Sequence, residues 1–131
     1  VEGGVVPAPR QEVWSRLPAV YGELGLPEPA VDHSVWTVAV QNHTIMRRVG
    51  SESMSGLIDC GRSMTGPNAD SHRIRLSVRT WLEPSADGTE VRTRVEAVAT
   101  PVDGRAGSFT CSSRGRLEML IAQALSRGPA T

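Results

Sequence analysis

The sequence predicts an α+β fold, a curved antiparallel β-sheet packed on two α-helices in the order β-α-β(n)-α. Three observations carry this expectation. The segments Ser71 to Leu82 and Thr89 to Pro101 alternate between apolar and polar residues, and Pro84-Ser85-Ala86-Asp87-Gly88 joins them with an Asp-Gly turn signal. Two further stretches, Arg10 to Leu24 and the last part of the chain, repeat apolar residues at helical spacing. The length of 131 residues suits one domain, residues 1–131, large enough to bury roughly two thirds of the surface its unfolded form exposes.

In chain order, Val1 to Val6 reads as a first strand stopped by Pro7-Ala8-Pro9, and proline then opens a helix. Val13, Trp14, Leu17, Val20, Tyr21 and Leu24 form its apolar stripe, and Gly25 is placed to end it. Pro18 removes one backbone hydrogen bond, so a bend or a break is expected there. After the loop Leu26-Pro27-Glu28-Pro29, a short strand is expected at Ala30 to Asp32 and a clearer one at Val35 to Val40, with Trp36, Val38 and Val40 on one parity. Ile45 to Val49 is expected to continue or pair with it through a bulge near Asn42 and His43. Gly50 to Ser55 reads as a turn or mobile loop, Leu57 to Cys60 as a short strand, and Gly61 to Asp70 as a loop leading into the long hairpin.

In the hairpin, His72, Ile74, Leu76, Val78, Thr80 and Leu82 share one parity, opposed to Arg73, Arg75, Ser77, Arg79 and Trp81. The partner strand sets Val91, Thr93, Val95, Ala97 and Ala99 against Glu90, Arg92, Arg94 and Glu96. Each strand therefore has one wet face. Beyond it, Asp103 to Gly107 is expected to turn the chain and Ser108 to Cys111 to form a short strand. Ser112 or Ser113 then caps a helix whose stripe is Leu117, Leu120, Ile121, Ala124 and Leu125, with Glu118 near its start, Arg127 near its end and Gly128 as its stop.

The composition removes several functions. With 14 basic and 14 acidic residues the formal charge is zero, so no general field draws the chain to nucleic acid or an anionic bilayer. Single-strand binding would also need rows of stacking aromatics, and the chain has one Phe, one Tyr and three Trp, two of the Trp expected in the core. There is no lysine, which excludes Schiff-base and phosphate-loop lysine chemistry. No run of about 20 apolar residues is present, so no transmembrane segment is expected. The chain starts at Val1 rather than Met, which points to an upstream signal peptide or lipid-anchor region.

Cys60 and Cys111 are the two cysteines, each ending an expected strand. A bridge between them would close a loop of about 50 residues, contribute on the order of 4 kcal/mol and place the domain in an oxidising compartment. The alternatives are two free thiols packed as small hydrophobes, or Cys60 as a nucleophile helped by His72 or Asp59. No family signature surrounds either cysteine. His33, His43, His72 and the cysteines lack zinc-ligand spacing, so neither metal nor cofactor is expected, and no catalytic residue stands out.

The wet face of the hairpin is the candidate interaction surface, formed by Arg73, Arg75, Arg79, Trp81, Arg92 and Arg94. If Pro84 opposes Thr89, Trp81 lies across from Arg92 and Ser77 across from Glu96, and an Arg over the indole would gain about 0.5–1 kcal/mol. Two readings compete. The face is either a solvated ladder of cross-paired charges or a docking surface, since Trp and Arg often anchor interfaces. The loop Gly61 to Asn68, with Arg62 and several hydroxyls, could hold something small, though such loops are usually turns.

The element order, with Pro9, Val13, Trp14, Leu17, Leu24 and Gly25 in a Pro-x-x-Val-Trp-x-x-Leu pattern one residue longer, resembles helix-grip domains. It is similar to those of the lipoprotein component of the outer-membrane β-barrel assembly machinery and of other small bacterial envelope lipoproteins. The resemblance implies a non-catalytic, envelope-anchored accessory subunit. The chain departs from it in carrying two cysteines and no visible anchor cysteine. The expected function is a periplasmic or envelope-associated interaction module docked on protein subunits of a membrane complex, whether for outer-membrane biogenesis, electron transfer or photosynthesis. The rival is a small apolar-ligand carrier with a pocket between sheet and helix, lined by Trp36, Leu76, Val95 and Leu120.

Overall fold

A computed structural model of the chain describes residues 2–102 and 107–127. The turn expected at Asp103 to Gly107 therefore lies almost wholly outside the described residues, as do Val1 and the stop expected at Gly128. The two alternating segments form the centre of the molecule. Strand β9 (Arg73–Ser85) and strand β10 (Gly88–Thr100) pair antiparallel from Ser85↔Gly88 to Arg73↔Thr100. Pro84 opposes Thr89, and this register sets Trp81 opposite Arg92 and Ser77 opposite Glu96. Ile74, Leu76, Val78, Thr80, Leu82, Val91, Thr93, Ala97 and Ala99 are buried on one face. Gly88 holds φ at +139°, and a Cβ there would lie 2.1 Å from the Val6 carbonyl oxygen, so the hairpin end admits only glycine.

Strand β1 (Glu2–Val6) and strand β11 (Phe109–Ser113) share the far edge of β10, the first along Thr89 to Thr93 and the second along Ala97 to Ala99. On the other side of the hairpin, β3 (Thr37–Met46) pairs with β9, and β2 (Ala30–Asp32) pairs with β3. Register shifts between Val40 and His43, where Asn42 takes φ +52°, so the bulge falls at the polar interruption of the strand pattern. Strand β6 (Ile58–Asp59) closes the sheet against β11. Between β3 and β6 lie β4 (Arg48–Val49), β5 (Glu52–Ser53) and a single helical turn, α2 (Met54–Leu57). A second small hairpin, β7 (Arg62–Ser63) with β8 (Gly66–Pro67), occupies the stretch expected as a loop.

Two long helices cover the apolar face. Helix α1 (Arg10–Glu23) buries Val13, Leu17, Val20 and Tyr21 and runs through Pro18 without a break. It ends in a glycine cap: the Gly25 N–H donates to the Gly22 carbonyl and the Leu26 N–H to the Tyr21 carbonyl. Gly25 (φ +86°) sits so close to Gly50 (φ +59°) that a Cβ on it would lie 2.5 Å from the Gly50 nitrogen. Two glycines thus let the helix end cross the β4–β5 turn backbone to backbone. Helix α3 (Arg116–Arg127) buries Leu117, Ile121, Ala124 and Leu125. Ser113 prepares its start, accepting from the Gly115 N–H while its hydroxyl lies 2.7 and 2.9 Å from the carboxylate oxygens of buried Glu118.

Three differences from the sequence reading have local causes. Trp36 is not in a strand. Asp32 caps a 3-10 turn over His33–Val35, Trp36 closes it at φ +51°, and β3 can begin only at Thr37. Gly50 to Ser55 is not a plain turn, because it pairs in the β4–β5 hairpin and leads into Met54, which is fully buried. Leu57 likewise ends the turn α2 instead of opening a strand, so the strand is reduced to Ile58 and Asp59.

Cys60 and Cys111 form a disulfide, and their Cα atoms are 4.5 Å apart. Extending the register Asp59↔Ser112 by one residue brings Cys60 opposite Cys111, and this separation is that of a closely spaced antiparallel pair. The bridge therefore continues the β6–β11 ladder. It also ends the free-thiol and nucleophile readings of Cys60. Deeper in the core, three hydroxyls form a chain. Tyr21 Oη lies 2.8 Å from Thr80 Oγ1, which lies 3.1 Å from Thr93 Oγ1. Two hydrogen bonds run through Thr80, so every hydroxyl of the buried row has a partner and none needs a charge. Burial pushes the Tyr21 phenol up to about 12, against the smaller opposing effect of its bond to Thr80.

Two stability predictions follow from bridge and phenol. The sequence separation of 51 closed by the disulfide corresponds to about 4 kcal/mol. Replacing both Cys60 and Cys111 by Ala is expected to lower the unfolding free energy by about that amount in a urea titration, and an unchanged midpoint would rule the contribution out. The phenol gives a pH test, because the chain has one tyrosine and no lysine to titrate beside it. The unfolded phenol ionises near 10.0 and the folded one near 12, so its stability contribution is complete below pH 10 and is lost between those values. Unfolding free energy should fall by about 2 kcal/mol over that window. In Tyr21→Phe the fall should vanish.

Candidate functional site

The hairpin fixes the candidate surface by parity. With Ile74, Leu76, Val78, Thr80 and Leu82 turned to the helices, Arg73, Arg75, Ser77, Arg79 and Trp81 project from the other face of the sheet, and Arg92 and Arg94 join them from β10. Among the described residues no helix covers this side: α1 and α3 both pack on the apolar face. Arg73, Arg75, Arg79 and Arg94 are exposed, whereas Trp81 and Arg92 are half-buried. The six residues named from sequence therefore do share one face.

Their pairing is less even than cross-strand neutralisation would give. The two ion pairs on this face run along β10, Arg92 to Glu90 at 3.2 Å and Arg94 to Glu96 at 3.4 Å. Arg73, Arg75 and Arg79 on β9 have no carboxylate partner among the described residues. Arg79 stands directly opposite Arg94. Like charges in that position destabilise a sheet, and the next strand offers only Ala39 beside Arg79. Drawn toward Glu90, Arg92 does not lie over the Trp81 indole. The contact of that kind is made elsewhere, by Arg10, whose Cζ lies 4.1 Å from the Trp36 ring centroid.

The bulge in β3 shapes the centre of this face. The Asn42 N–H donates to Ser77 Oγ at 3.0 Å, which leaves the Ser77 hydroxyl proton free to donate outward. Two shallow hollows open there, one of about 170 Å³ lined by Ala39, Asn42, Ser77, Arg79 and Arg94, and one of about 400 Å³ lined by Arg75, Val98 and Thr110 among others. They share Asn42, Ser77, Arg94 and Glu96. Small side chains form the floor and guanidinium groups the walls, so the surface is built of hydrogen-bond donors with Glu96 as its acid. Such a surface accepts carboxylates, in bidentate geometry where an arginine is free. Sequence reasoning located the bulge and the arginines. It missed Asn42 and Ser77 as the floor, although an Asn inside a strand pattern is a signal for left-handed backbone.

A second cluster also went unforeseen. Trp14 from α1 stacks on His33 at 5.2 Å, and both rings contact Trp36 edge-on, at 5.6 and 4.5 Å. With Arg10 on the far side of Trp36, these groups tack the start of α1 to the β2–β3 connection. Trp14 and Trp36 are half-buried and His33 is exposed, so the cluster tacks the two elements together while keeping part of its surface in solvent.

The remaining expectations meet little support as sites. His72 lies edge-on to Phe109 at 5.7 Å and hydrogen-bonds Ser71, away from any nucleophile. Among the described residues no group of His, Cys, Asp and Glu is placed to hold a metal. The Gly61 to Asn68 stretch is fastened to the fold by Asn68, whose Nδ2 donates to the Cys60 carbonyl. No helix of the described residues is long and apolar enough to cross a membrane. No protein-family model, curated protein or solved structure matches the chain.

The opposed arginines give a direct measurement. Arg79→Thr removes one of two facing like charges and substitutes a β-former, so stability is expected to rise by about 0.2–1 kcal/mol at low ionic strength. The gain should shrink in 1 M salt, where the repulsion is screened. A loss of stability at low salt would mean that Arg79 has a partner on the folded surface.

Proposed function

We propose that this chain is a non-catalytic, extracytoplasmic interaction module, an accessory or scaffolding subunit that docks on a larger membrane-associated complex through the open face of its sheet. The observation that carries the reading is the uncompensated arginine row on β9. Arg75 and Arg79 are four residues apart on a strand, roughly 13 Å, so a single small anion cannot engage both. A protein surface presenting several carboxylates can, and it would also relieve the Arg79–Arg94 opposition. Residues of this type anchor interfaces when desolvated and speed encounter through complementary charge.

The burial of the hairpin's inner face supports docking over carriage of an apolar ligand. Leu76 is fully buried, Tyr21, Thr80 and Thr93 bond to one another beneath α1, and the hollows described above open on the opposite face. The disulfide and the absence of a membrane-spanning helix among the described residues are compatible with an extracytoplasmic location. A periplasmic or envelope setting, and the likeness to envelope lipoprotein domains, belong to the proposal.

The test is a comparison of two tagged proteins, the natural chain and Arg75→Glu/Arg79→Glu, recovered from gently solubilised membranes of the native organism and analysed by mass spectrometry. The natural chain is expected to retain one membrane complex at near-stoichiometric yield, and the charge-reversed chain to lose most of it at a thermal stability no lower than that of the natural chain. Recovery of the natural chain alone, or equal recovery by both, would defeat the docking assignment.

A further inference from the structure

Strand β1 offers a site that the arginine face does not use. One edge of β1 pairs with β10, and the other has no partner strand among the described residues. Its backbone N–H and C=O groups on that side are a template for another strand. Helix α3 runs beside this edge. The two pack closely at Gly4, where a Cβ would lie 3.6 Å from the Ala122 Cβ, at ordinary van der Waals distance. Met119, Ala122 and Ser126 recur at helical spacing along one side of α3, and with Gly115 just before the helix and Gly4 and Val5 of β1 they line a trough of about 840 Å³. Val5 and Met119 are 49% and 43% exposed, large apolar side chains left at the two walls of the trough.

Three arginines and one glutamate line the trough, so basic groups outnumber acids there. Arg114, Arg116 and Arg127 all reach it. Arg114 donates through Nε to the Ser55 carbonyl and has no carboxylate partner among the described residues, nor has Arg127. Arg116 pairs with Glu52, whose carboxyl that contact holds below its ordinary range, yet the arginine side chain stays 45% exposed. The acid of the trough, Glu118, is buried and bound to Ser113. Charge also bears on the occupant. If two copies paired β1 to β1 about a twofold axis, their α3 helices would lie antiparallel, and Arg114 and Arg116 of one would face Arg127 of the other. Like charges at both ends disfavour that dimer. They favour an acidic guest.

We propose that the β1 edge and α3 form a strand-addition site for an extended segment of a partner protein, apolar at alternate positions in its middle and acidic at its ends. The twelve residues of α3 span roughly 18 Å, the length of five or six residues in a strand. Main-chain hydrogen bonds to β1 supply affinity, the apolar side chains lie against Met119 and Ala122, and the carboxylates meet Arg116 and Arg127. The site lies apart from the arginine face and stands or falls independently of it.

The probe is a fluorescein-labelled peptide, Asp-Glu-Val-Thr-Val-Thr-Val-Glu-Asp, titrated with the full chain and read by anisotropy, with hydrogen exchange of the β1 amides followed in parallel. The peptide should bind saturably and slow exchange in β1. Three changes should each weaken it about tenfold or more: N-methylation of alternate peptide nitrogens, replacement of its acids by lysine, and Met119→Glu in the exposed wall of the trough. Arg75→Glu/Arg79→Glu should leave it unaltered, which separates this site from the open sheet face. No saturable binding, equal binding of the N-methylated or lysine peptide, or loss of binding only in the sheet-face variant would overturn the proposal. So would a concentration-dependent dimer abolished by Met119→Glu, since a second copy would then own the edge.

Discussion

Thirteen consecutive pairs hold β9 against β10 with no bulge, and that unbroken register decides what every other element meets. A slip of one residue would turn Ile74, Leu76 and Val78 outward and bury Arg75 and Arg79 beneath the helices. Because the ladder is fixed, the helices have a single apolar face to cover, and the arginines have a single face to occupy. The sheet grows outward from this pair on both sides. The irregular parts of the molecule, including the β3 bulge and the shared edge of β10, sit at its margins, where the register tolerates them.

How much of this could be read in advance follows from where the periodic signal is strong. The hairpin, α1 and α3 each carry a sustained period over a dozen residues or so, and Gly25 marks a helix end through backbone conformation alone. All were legible. The stretch from Ser34 to Asp70 was only partly so, because its order comes from isolated contacts. Trp36 has an apolar side chain at a strand-like position, but Asp32 captures the Ser34 N–H and winds the chain into a 3-10 turn before β3 begins. Met54 is buried by a single helical turn too short to generate a period. The pairing of β6 with β11 joins residues more than fifty apart in sequence, and no local pattern announces it.

The candidate surface shows the same division. Parity alone put Arg73, Arg75, Arg79, Trp81, Arg92 and Arg94 on one face, since a strand offers no other choice. The ionic pairing could not be read that way. It depends on which rotamers reach which acids, and Arg92 and Arg94 take their own strand neighbours and leave the β9 row unmatched. The floor of Ser77 and Asn42 depends on one backbone residue adopting left-handed geometry. The trough beside β1 was invisible for a related reason: an edge is defined by the strand that is missing, and the sequence of β1 reads the same whether its far side is covered or bare.

The disulfide carries a consequence for how the molecule is assembled. Its covalent ring encloses the entire β9–β10 hairpin, yet the two sulfurs meet only because β6 lies against β11, and β11 lies in place only because β10 already does. The hairpin is a local structure able to form early, while the cysteines belong to the last strand pair in that chain of dependence. The bond thus records, in covalent form, that the outermost strand has found its register, since a sheet slipped at β11 would hold the two thiols apart and leave the ring open.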